Sequence, residues 1–151
     1  MDAKAIDQLL ESQRQYFLSG ATLPVEFRIA MLQRLRETVR RREPDISKAL
    51  TADLGKSGYE GYMCEIGLVL SELGYLIRHT RRFAKRRHVP TPLAQFAASS
   101  YLSPSPYGNV LIMSPWNYPL LLTLDPLADA IAAGNTAIVK PSAYSPATSQ
   151  V

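Results

Sequence analysis

The sequence is poor in cysteine and histidine, with one of the first and two of the second among 151 residues. The lone cysteine, Cys64, cannot form a disulfide within the chain. His79 and His88 stand far from it in the sequence, so the ligand spacing of a structural zinc site is absent. These shortages exclude a disulfide-rich scaffold, and we expect no metal site.

Long apolar runs are also lacking. No stretch approaches the roughly 18 apolar residues that a membrane-spanning helix needs. The opening segment, MDAKAIDQLL, carries acids and lacks the basic-then-apolar order of a signal peptide. The sequence therefore predicts a chain without a membrane segment, located in the cytoplasm.

Charge is scarce in the second half of the chain. Residues 1–87 hold 16 of the 17 Lys and Arg and 11 of the 13 Asp and Glu, within a net charge of +4. Nine of the 11 prolines lie from Pro90 onward. The chain is thus built in two unlike parts, and we place the boundary near residues 88–92.

The first part has the apolar spacing of amphipathic helices. We predict helices over residues 3–19, 24–43, 44–54 and 57–87. The second helix should end at Pro44, because proline disrupts a helix interior. Ser57 and Glu60 have the spacing of a capping box and should begin the last helix. Two apolar stripes are predicted to be buried, one formed by Phe27, Met31, Leu35 and Val39 and the other by Met63, Ile66, Leu70, Leu73 and Ile77.

The second part changes to the pattern of an α/β protein. Residues 95–103 are β-prone, and the apolar runs Asn109–Met113 and Thr136–Lys140 are typical of buried strands. A helical stretch from Pro119 to Gly134 separates the two runs. Such a β-loop-α-turn-β unit requires a parallel strand pair with a crossover connection, and Ser145 should then cap a further helix.

Polar residues follow both predicted parallel strands. In open α/β sheets, ligands bind at the carboxyl ends of the strands, which here are Ser114–Asn117 and Lys140–Ser142. Asn117 offers an amide donor, Lys140 a cation and Trp116 a flat apolar wall. Taken singly, each has an ordinary structural interpretation: a turn residue, a solvated lysine and a packing aromatic.

In this order and spacing the residues carry a more specific signal. The chain reads Gly108-Asn-Val-Leu-Ile-Met-Ser-Pro-Trp-Asn-Tyr-Pro119, then Pro126-Leu-Ala-Asp-Ala-Ile-Ala-Ala-Gly-Asn135, then Val139-Lys-Pro-Ser142. These motifs resemble the aldehyde dehydrogenase family. Upstream, Ala49–Lys56, Glu65-Ile-Gly67 and Val89–Leu93 extend the likeness, the last toward the class 3 branch that acts on fatty or aromatic aldehydes.

The resemblance implies an amino-terminal part of an NAD(P)-dependent enzyme that oxidises an aldehyde to a carboxylic acid. Residues 1–90 would form a helical part, residues 91–107 an extended oligomerisation arm, and residues 108–151 the first βαβ unit of a Rossmann-like cofactor domain. The full-length family enzyme would be a homo-oligomer, as a dimer.

The resemblance also assigns roles to individual residues. Asn117 would donate a hydrogen bond to the developing oxyanion, and Lys140 would hold the adenosine ribose of NAD or NADP. The dinucleotide site would also include Met113, Ser114, Pro115, Trp116 and Ser142. Where the family often has Glu after the Lys-Pro-Ser triplet, this chain has Ala143, which makes NADP use more plausible by removing repulsion from a 2′-phosphate.

Three parts of the family machinery are missing from the matched region, and one of them is the glycine-containing cofactor loop. The nucleophilic Cys and the general-base Glu also lie downstream of that region, so this chain alone should not oxidise aldehydes. Cys64 is no substitute: its apolar, helical surroundings are typical of a cysteine that acts as a small hydrophobic residue.

Two alternatives stand beside this interpretation. One is a non-catalytic fragment that acts by assembling with partners through its extended segment. The other is a nucleic-acid-binding helical module, suggested by two basic clusters: Arg34, Arg36, Arg40, Arg41 and Arg42, and Arg78, Arg81, Arg82, Lys85, Arg86 and Arg87. Acids share these helices and no nucleic-acid motif is present, so we expect no nucleic-acid partner.

Overall fold

The structure is a computed structural model that describes residues 2–151. Its elements, in chain order, are α1 (Ala3–Leu18), α2 (Val25–Leu54), α3 (Gly58–Gly61), α4 (Gly67–Phe83), β1 (Arg87–Val89), β2 (Ser100–Leu102), β3 (Asn109–Met113), α5 (Leu121–Ala133), β4 (Thr136–Lys140) and α6 (Pro146–Gln150). A π-helical segment, Tyr62–Ile66, joins α3 to α4, and a 3-10 turn, Leu93–Gln95, lies between β1 and β2.

Helix α2 does not end at Pro44, contrary to the sequence-based expectation. It runs unbroken through the proline to Leu54. Val39 and Ile46 stand on either side of Pro44, about two helical turns apart, and both are buried in the same apolar cluster. Packing of both halves against one core therefore outweighs the cost of the proline, which is about 3 kcal/mol in a helix interior.

The helix predicted from residue 57 begins as expected and then departs from the prediction. The Ser57 side chain accepts a hydrogen bond from the Glu60 amide at 3.1 Å. Beyond it, the π-helical segment interrupts the α-helical register, and α4 ends at Phe83 instead of reaching residue 87. Arg87 is not helical because it begins strand β1, which pairs antiparallel with β2.

The β-prone segment 95–103 is extended over only part of its length. Strand β2 has three residues, and the chain before it forms the 3-10 turn. Thr91 fixes the entry to β2, because its hydroxyl accepts a hydrogen bond from the Ser100 amide at 3.1 Å. This side-chain hydrogen bond thus joins the residues just after β1 to the start of β2.

The predicted β-α-β unit is confirmed. Strands β3 and β4 pair in parallel, and α5 connects them. The turn after α5 needs Gly134, whose φ of 90° lies in the left-handed region. Asn135 follows it, and its side-chain oxygen accepts a hydrogen bond from the Gly108 amide at 2.9 Å, which joins the starts of the two strands.

Helix α6 is capped by a different residue from the one predicted. Ser145 occupies the N-cap position but makes no capping hydrogen bond with its side chain. Instead, the Asp53 carboxylate of α2 accepts hydrogen bonds from the Ala147 and Thr148 amides at 3.0 and 2.7 Å. A charged carboxylate is a stronger acceptor than a hydroxyl, so it takes the exposed amides of the helix start.

The core lies where α2, α4 and α5 pack together. Its buried residues are Leu32, Val39, Ile46, Leu50, Ile66, Val69, Leu73, Leu76, Leu120 and Ala128. Of the predicted stripes, Val39, Ile66 and Leu73 are buried. Met63 is exposed, and the remaining stripe residues are partly buried. The reason is that α2 turns Leu32 toward the core and α4 turns Val69 and Leu76 toward it. No helix within residues 2–151 has the length and hydropathy to cross a membrane.

Candidate functional site

The carboxyl ends of β3 and β4 lie side by side. Met113 is paired with Lys140 in the strand register, and the Ser114 amide donates a hydrogen bond to the Lys140 carbonyl at 3.1 Å. The chain then leaves β3 in an irregular loop up to α5. The two segments that the sequence predicts to lie together, Ser114–Asn117 and Lys140–Ser142, therefore share one edge of the strand pair.

The predicted site residues on this edge are mostly open to solvent. The exposed fractions of Met113 and Trp116 are 67% and 55%. Asn117 and Lys140 are also exposed, as is Pro115. The Ser114 hydroxyl differs, because it is buried and has no hydrogen-bond partner among residues 2–151. The edge thus exposes a cation, an amide and an aromatic face, and the Ser114 hydroxyl lies buried beside them.

Ser142 has a different environment. It is buried, and its hydroxyl accepts a hydrogen bond from the Tyr144 amide at 3.1 Å. Its carbonyl oxygen accepts a hydrogen bond from the Ser149 hydroxyl at 2.9 Å. In this structure Ser142 organises the turn into α6, and its contact with a cofactor stays a prediction.

The loop that carries Asn117 is held by two residues to which the sequence analysis gave no role. Lys56 Nζ donates a hydrogen bond to the Asn117 carbonyl at 3.0 Å and forms an ion pair with Glu65 at 2.5 Å. The other carboxylate oxygen of Glu65 accepts hydrogen bonds from the Leu120 and Leu121 amides at 2.9 and 3.2 Å. The middle of the loop and its junction with α5 are therefore tied to one buried ion pair.

A sequence signal for Glu65 did exist. The residue lies at helical spacing from Val69, Leu73 and Leu76, which are all buried, so it is a lone acid on an apolar stripe. A buried acid requires a partner. The partner, Lys56, lies nine residues away across a helix end, and helical spacing does not identify it.

The lone cysteine and the His, Asp and Glu side chains are the other candidates for chemistry in this chain. Cys64 is half-buried in the π-helical segment. Within residues 2–151, no group of three His, Cys, Asp or Glu side chains lies close enough to hold a metal ion.

The strand-end residues suit a dinucleotide. The exposed Lys140 ammonium can donate to ribose hydroxyls or phosphate, and the Trp116 ring can stack on a planar group. Because these groups are complementary to a nucleotide's hydroxyls, phosphates and ring, the residues fit a nicotinamide cofactor.

Comparison with known proteins agrees with the family resemblance seen in the sequence. A model of the aldehyde dehydrogenase family matches residues 1–151. The 4,4'-diaponeurosporen-aldehyde dehydrogenase of Staphylococcus aureus is 40% identical over 97% of this chain and 32% of its own length. Aldehyde dehydrogenase family 3 member A2 of Rattus norvegicus is also 40% identical, over 97% of this chain and 30% of its own length. The class 3 likeness is therefore confirmed.

Solved structures agree with the sequence relatives. The substrate-bound state of Staphylococcus aureus AldH superposes with a TM-score of 0.95 at 39% identity, covering 99% of this chain and 32% of that chain. Succinic semialdehyde dehydrogenase from Streptococcus pyogenes, solved with NADP+ as the cofactor, has a TM-score of 0.86 at 21% identity, covering 99% and 32%. The second shares the fold alone. The chain spans about a third of the length of these relatives. It belongs to the aldehyde dehydrogenase family and corresponds to an amino-terminal portion of the family's enzymes.

Proposed function

We propose that this chain supplies the oxyanion donor and part of the cofactor site of an NAD(P)-dependent aldehyde dehydrogenase, which oxidises an aldehyde to a carboxylic acid. One observation carries the proposal. The joined carboxyl ends of β3 and β4 bring Asn117, Trp116 and Lys140 to one exposed edge, in a chain of the aldehyde dehydrogenase family. Substrate and cofactor would meet at this edge.

Asn117 is the proposed catalytic residue of the chain. Its neutral side-chain carboxamide is exposed, whereas its backbone carbonyl accepts a hydrogen bond from Lys56. A carboxamide N–H that is held in place can stabilise the negative charge that develops on the aldehyde oxygen under nucleophilic attack. Such a donor needs no change of protonation, so it serves over a broad pH range.

The cofactor, when bound, supplies the two-electron oxidant. On this chain, Lys140 would hold its ribose hydroxyls, Trp116 and the backbone of Met113–Pro115 would line the site, and Ser142 would lie at its rim. Ala143 is exposed and carries no charge, so the edge offers no acid that would repel a 2′-phosphate. The proposal covers both NAD and NADP, and one protein of the same fold was solved with NADP+.

The wider organisation follows from the same proposal. Residues 1–90 form the helical part, residues 91–107 an oligomerisation arm, and residues 108–151 the first βαβ unit of a Rossmann-like sheet. The longer protein is proposed to be a cytoplasmic homodimer with fatty or aromatic aldehydes as substrates. The parallel β3–β4 pair and the exposed side chains of β2 support this organisation. No nucleic-acid partner is proposed, since acids such as Glu26, which pairs with Arg81, offset the basic clusters.

The test uses a hybrid enzyme in which residues 1–151 replace the matching segment of the Staphylococcus aureus relative. The hybrid should oxidise long-chain or aromatic aldehydes with NAD or NADP. Asn117→Ala should lower kcat about 100-fold or more, the usual effect of removing one oxyanion donor. Lys140→Met should instead raise the KM for the cofactor, because it removes a binding contact that does not change during the reaction.

Two outcomes would overturn the proposal. One is a folded hybrid without aldehyde-oxidising activity. The other is an active hybrid in which Asn117→Ala keeps the parent kcat. The 151-residue chain tested alone provides the control, and it should show no aldehyde oxidation.

A further inference from the structure

The loop between β3 and α5 is held by a buried ion pair. Lys56 Nζ lies 2.5 Å from one carboxylate oxygen of Glu65 and 3.0 Å from the Asn117 carbonyl oxygen. The second carboxylate oxygen of Glu65 accepts the Leu120 and Leu121 amides. The pair therefore holds Asn117 in the middle of the loop and also holds the junction between the loop and α5.

The aromatic neighbour of Asn117 is fixed by the same lysine. Lys56 Nζ lies 4.1 Å from the ring centroid of Tyr118. An ammonium group over an aromatic face is attracted by the ring. Lys56 thus contacts two successive residues of the loop, which restricts the backbone on which the Asn117 side chain is mounted.

This ion pair is deeply buried. The exposed fraction is 9% for the Lys56 side chain and 0% for Glu65. Removing two charges from water costs several kcal/mol per ion, and an apolar pair of similar volume is often at least as stable. Stability alone therefore does not account for a charged pair here, and its directional bonds point to a positioning role.

The π-helical segment Tyr62–Ile66 supports the same conclusion. Glu65 lies within it, between α3 and α4. Single π-helical turns shift the side chains that follow by a fraction of a turn, and they occur often at functional sites. Here the irregular turn carries the carboxylate that reaches the start of α5.

We propose that Lys56 and Glu65 are positioning residues for the oxyanion donor, a role that rests on the function proposed for Asn117. The Lys56 ammonium group binds the backbone carbonyl of Asn117. The Glu65 carboxylate binds that ammonium group and the backbone amides of Leu120 and Leu121 at the start of α5. The Asn117 carboxamide is thereby kept on a rigid backbone. Loss of the pair leaves the reacting groups intact but lets their support move.

The main test compares four variants of the hybrid enzyme: Lys56→Met with Glu65→Gln, Lys56→Arg alone, Asn117→Ala alone, and the exposed-site control Lys48→Met. The neutral Met-Gln pair leaves no uncompensated buried charge, and its folding is checked by circular dichroism. We expect its kcat to fall at least 10-fold with the KM for the cofactor near the parent value. Lys56→Arg keeps the positive charge and should retain most of the parent kcat. Lys48→Met should leave the kcat at the parent value.

A mutant cycle separates this inference from the proposed function. If Lys56 acts through Asn117, then the Met-Gln pair should lower kcat less than twofold in the Asn117→Ala background. A full additional loss there, or a parent-like kcat in the folded Met-Gln enzyme, would overturn the positioning role. An Asn117→Ala enzyme with normal kcat would instead overturn the proposed function.

A second measurement uses the chain without catalysis. Trp116, the one tryptophan, adjoins Asn117, so its fluorescence anisotropy reports loop mobility. The Met-Gln pair should lower the anisotropy and speed hydrogen exchange of the Leu120 and Leu121 amides, with unchanged values contradicting the inference. If the pair does not fold, Glu65→Asp keeps the charge but shortens its reach, and the same changes are expected.

Discussion

At the scale of single residues, one buried guanidinium joins the end of α5 to the start of α2. Arg28 donates hydrogen bonds to the carbonyls of Thr22, Leu23, Ala132 and Ala133. Burial lowers the pKa of Arg28 from its usual value, yet the group keeps its charge. Gly134 lies directly against it, because a Cβ built there would stand 2.6 Å from Arg28 Cζ.

We therefore expect Gly134→Ala to destabilise the chain more than Gly55→Ala does. Both glycines have positive φ, but nothing lies within 4 Å of a Cβ at Gly55. The Gly55 variant should lose about 1 kcal/mol of unfolding free energy from backbone strain alone. Gly134→Ala should lose roughly 2–4 kcal/mol, because it also displaces a hydrogen-bonded guanidinium. Urea unfolding measures both, and equal losses would show that Arg28 moves aside without cost.

Asp125 is the titratable residue with the largest upward pKa shift. Burial, followed by repulsion from Glu72 and Asp129, raises its pKa to about 6. One of its carboxylate oxygens is buried without a hydrogen-bond partner within residues 2–151. The ionised carboxylate is therefore held in an unfavourable place at neutral pH.

A raised pKa in the folded state makes stability fall as pH rises through it. The Asp125 contribution should be fully present below pH 4, the ordinary range of the group, and should be lost as pH passes 6. Asp125→Asn should remove this loss and stabilise the chain at pH 7.5 by about 1 kcal/mol, a value reduced for solvent screening. Thermal unfolding at pH 4 and 7.5 tests this, and an equal gain at both values would contradict it.

At the scale of elements, patterns local in sequence predict more than those that depend on packing. The bounds of β3 and β4 match the predicted runs residue for residue, since each run has three or four consecutive apolar residues with turn residues on both sides. Their predicted burial is wrong at most positions, because only Ile112 of β3 and Thr136 of β4 are buried. The break at Pro44 was wrong because the burial of Val39 and Ile46 against one core is not visible locally. The three-residue strands β1 and β2 form only by pairing with each other. Their central partners, His88 and Tyr101, are 13 residues apart in the sequence.

The capping of α6 by α2 is an element-scale contact with a testable pH dependence. Desolvation acts to raise the pKa of Asp53, but hydrogen bonds from Thr148 and Ala147 outweigh it and lower the pKa. A lowered folded-state pKa means that the stabilisation is present above the ordinary pKa of about 4 and is lost as pH falls through the folded value. Asp53→Ala should cost about 1 kcal/mol at pH 7.

The same cost should vanish in acid. At a pH below the folded-state pKa of Asp53, the carboxyl is protonated in both states, so parent and Asp53→Ala should unfold at nearly the same temperature. Calorimetry at pH 7 and in strong acid measures the difference. Glu37, an exposed acid of the same helix, gives the control Glu37→Ala, and a similar pH dependence there would contradict the assignment to the α6 cap.

At the scale of the whole molecule, the candidate site combines a predictable part with an unpredictable one. The strand-end residues follow from topology, because parallel strands bring their carboxyl ends together. The Lys56–Glu65 pair joins the short segment after α2, the π-helical segment and the β3–α5 loop, and the loop comes near the other two only after folding. A buried pair of this kind is set by three-dimensional packing, so sequence spacing predicts the candidate site at the strand ends but not the pair that supports it.

Strand β3 exposes an apolar side chain that distinguishes the isolated chain from a longer enzyme. Leu111 is 62% exposed, although it lies in the middle of the strand. In the proposed Rossmann-like sheet, further elements would cover this face. Leu111→Lys should then be tolerated by the 151-residue chain but should prevent folding of the hybrid enzyme, because an unpaired charge would be buried at a cost of several kcal/mol.

Leu18, at the end of α1, provides the matched control because it is 66% exposed and lies outside the sheet. Leu18→Lys should leave both the chain and the hybrid folded. Soluble yield and circular dichroism of the four proteins decide the outcome. A Leu111→Lys hybrid that folds and oxidises aldehyde normally would mean that this face of β3 stays in water, and the proposed Rossmann-like sheet would have to be abandoned on that side.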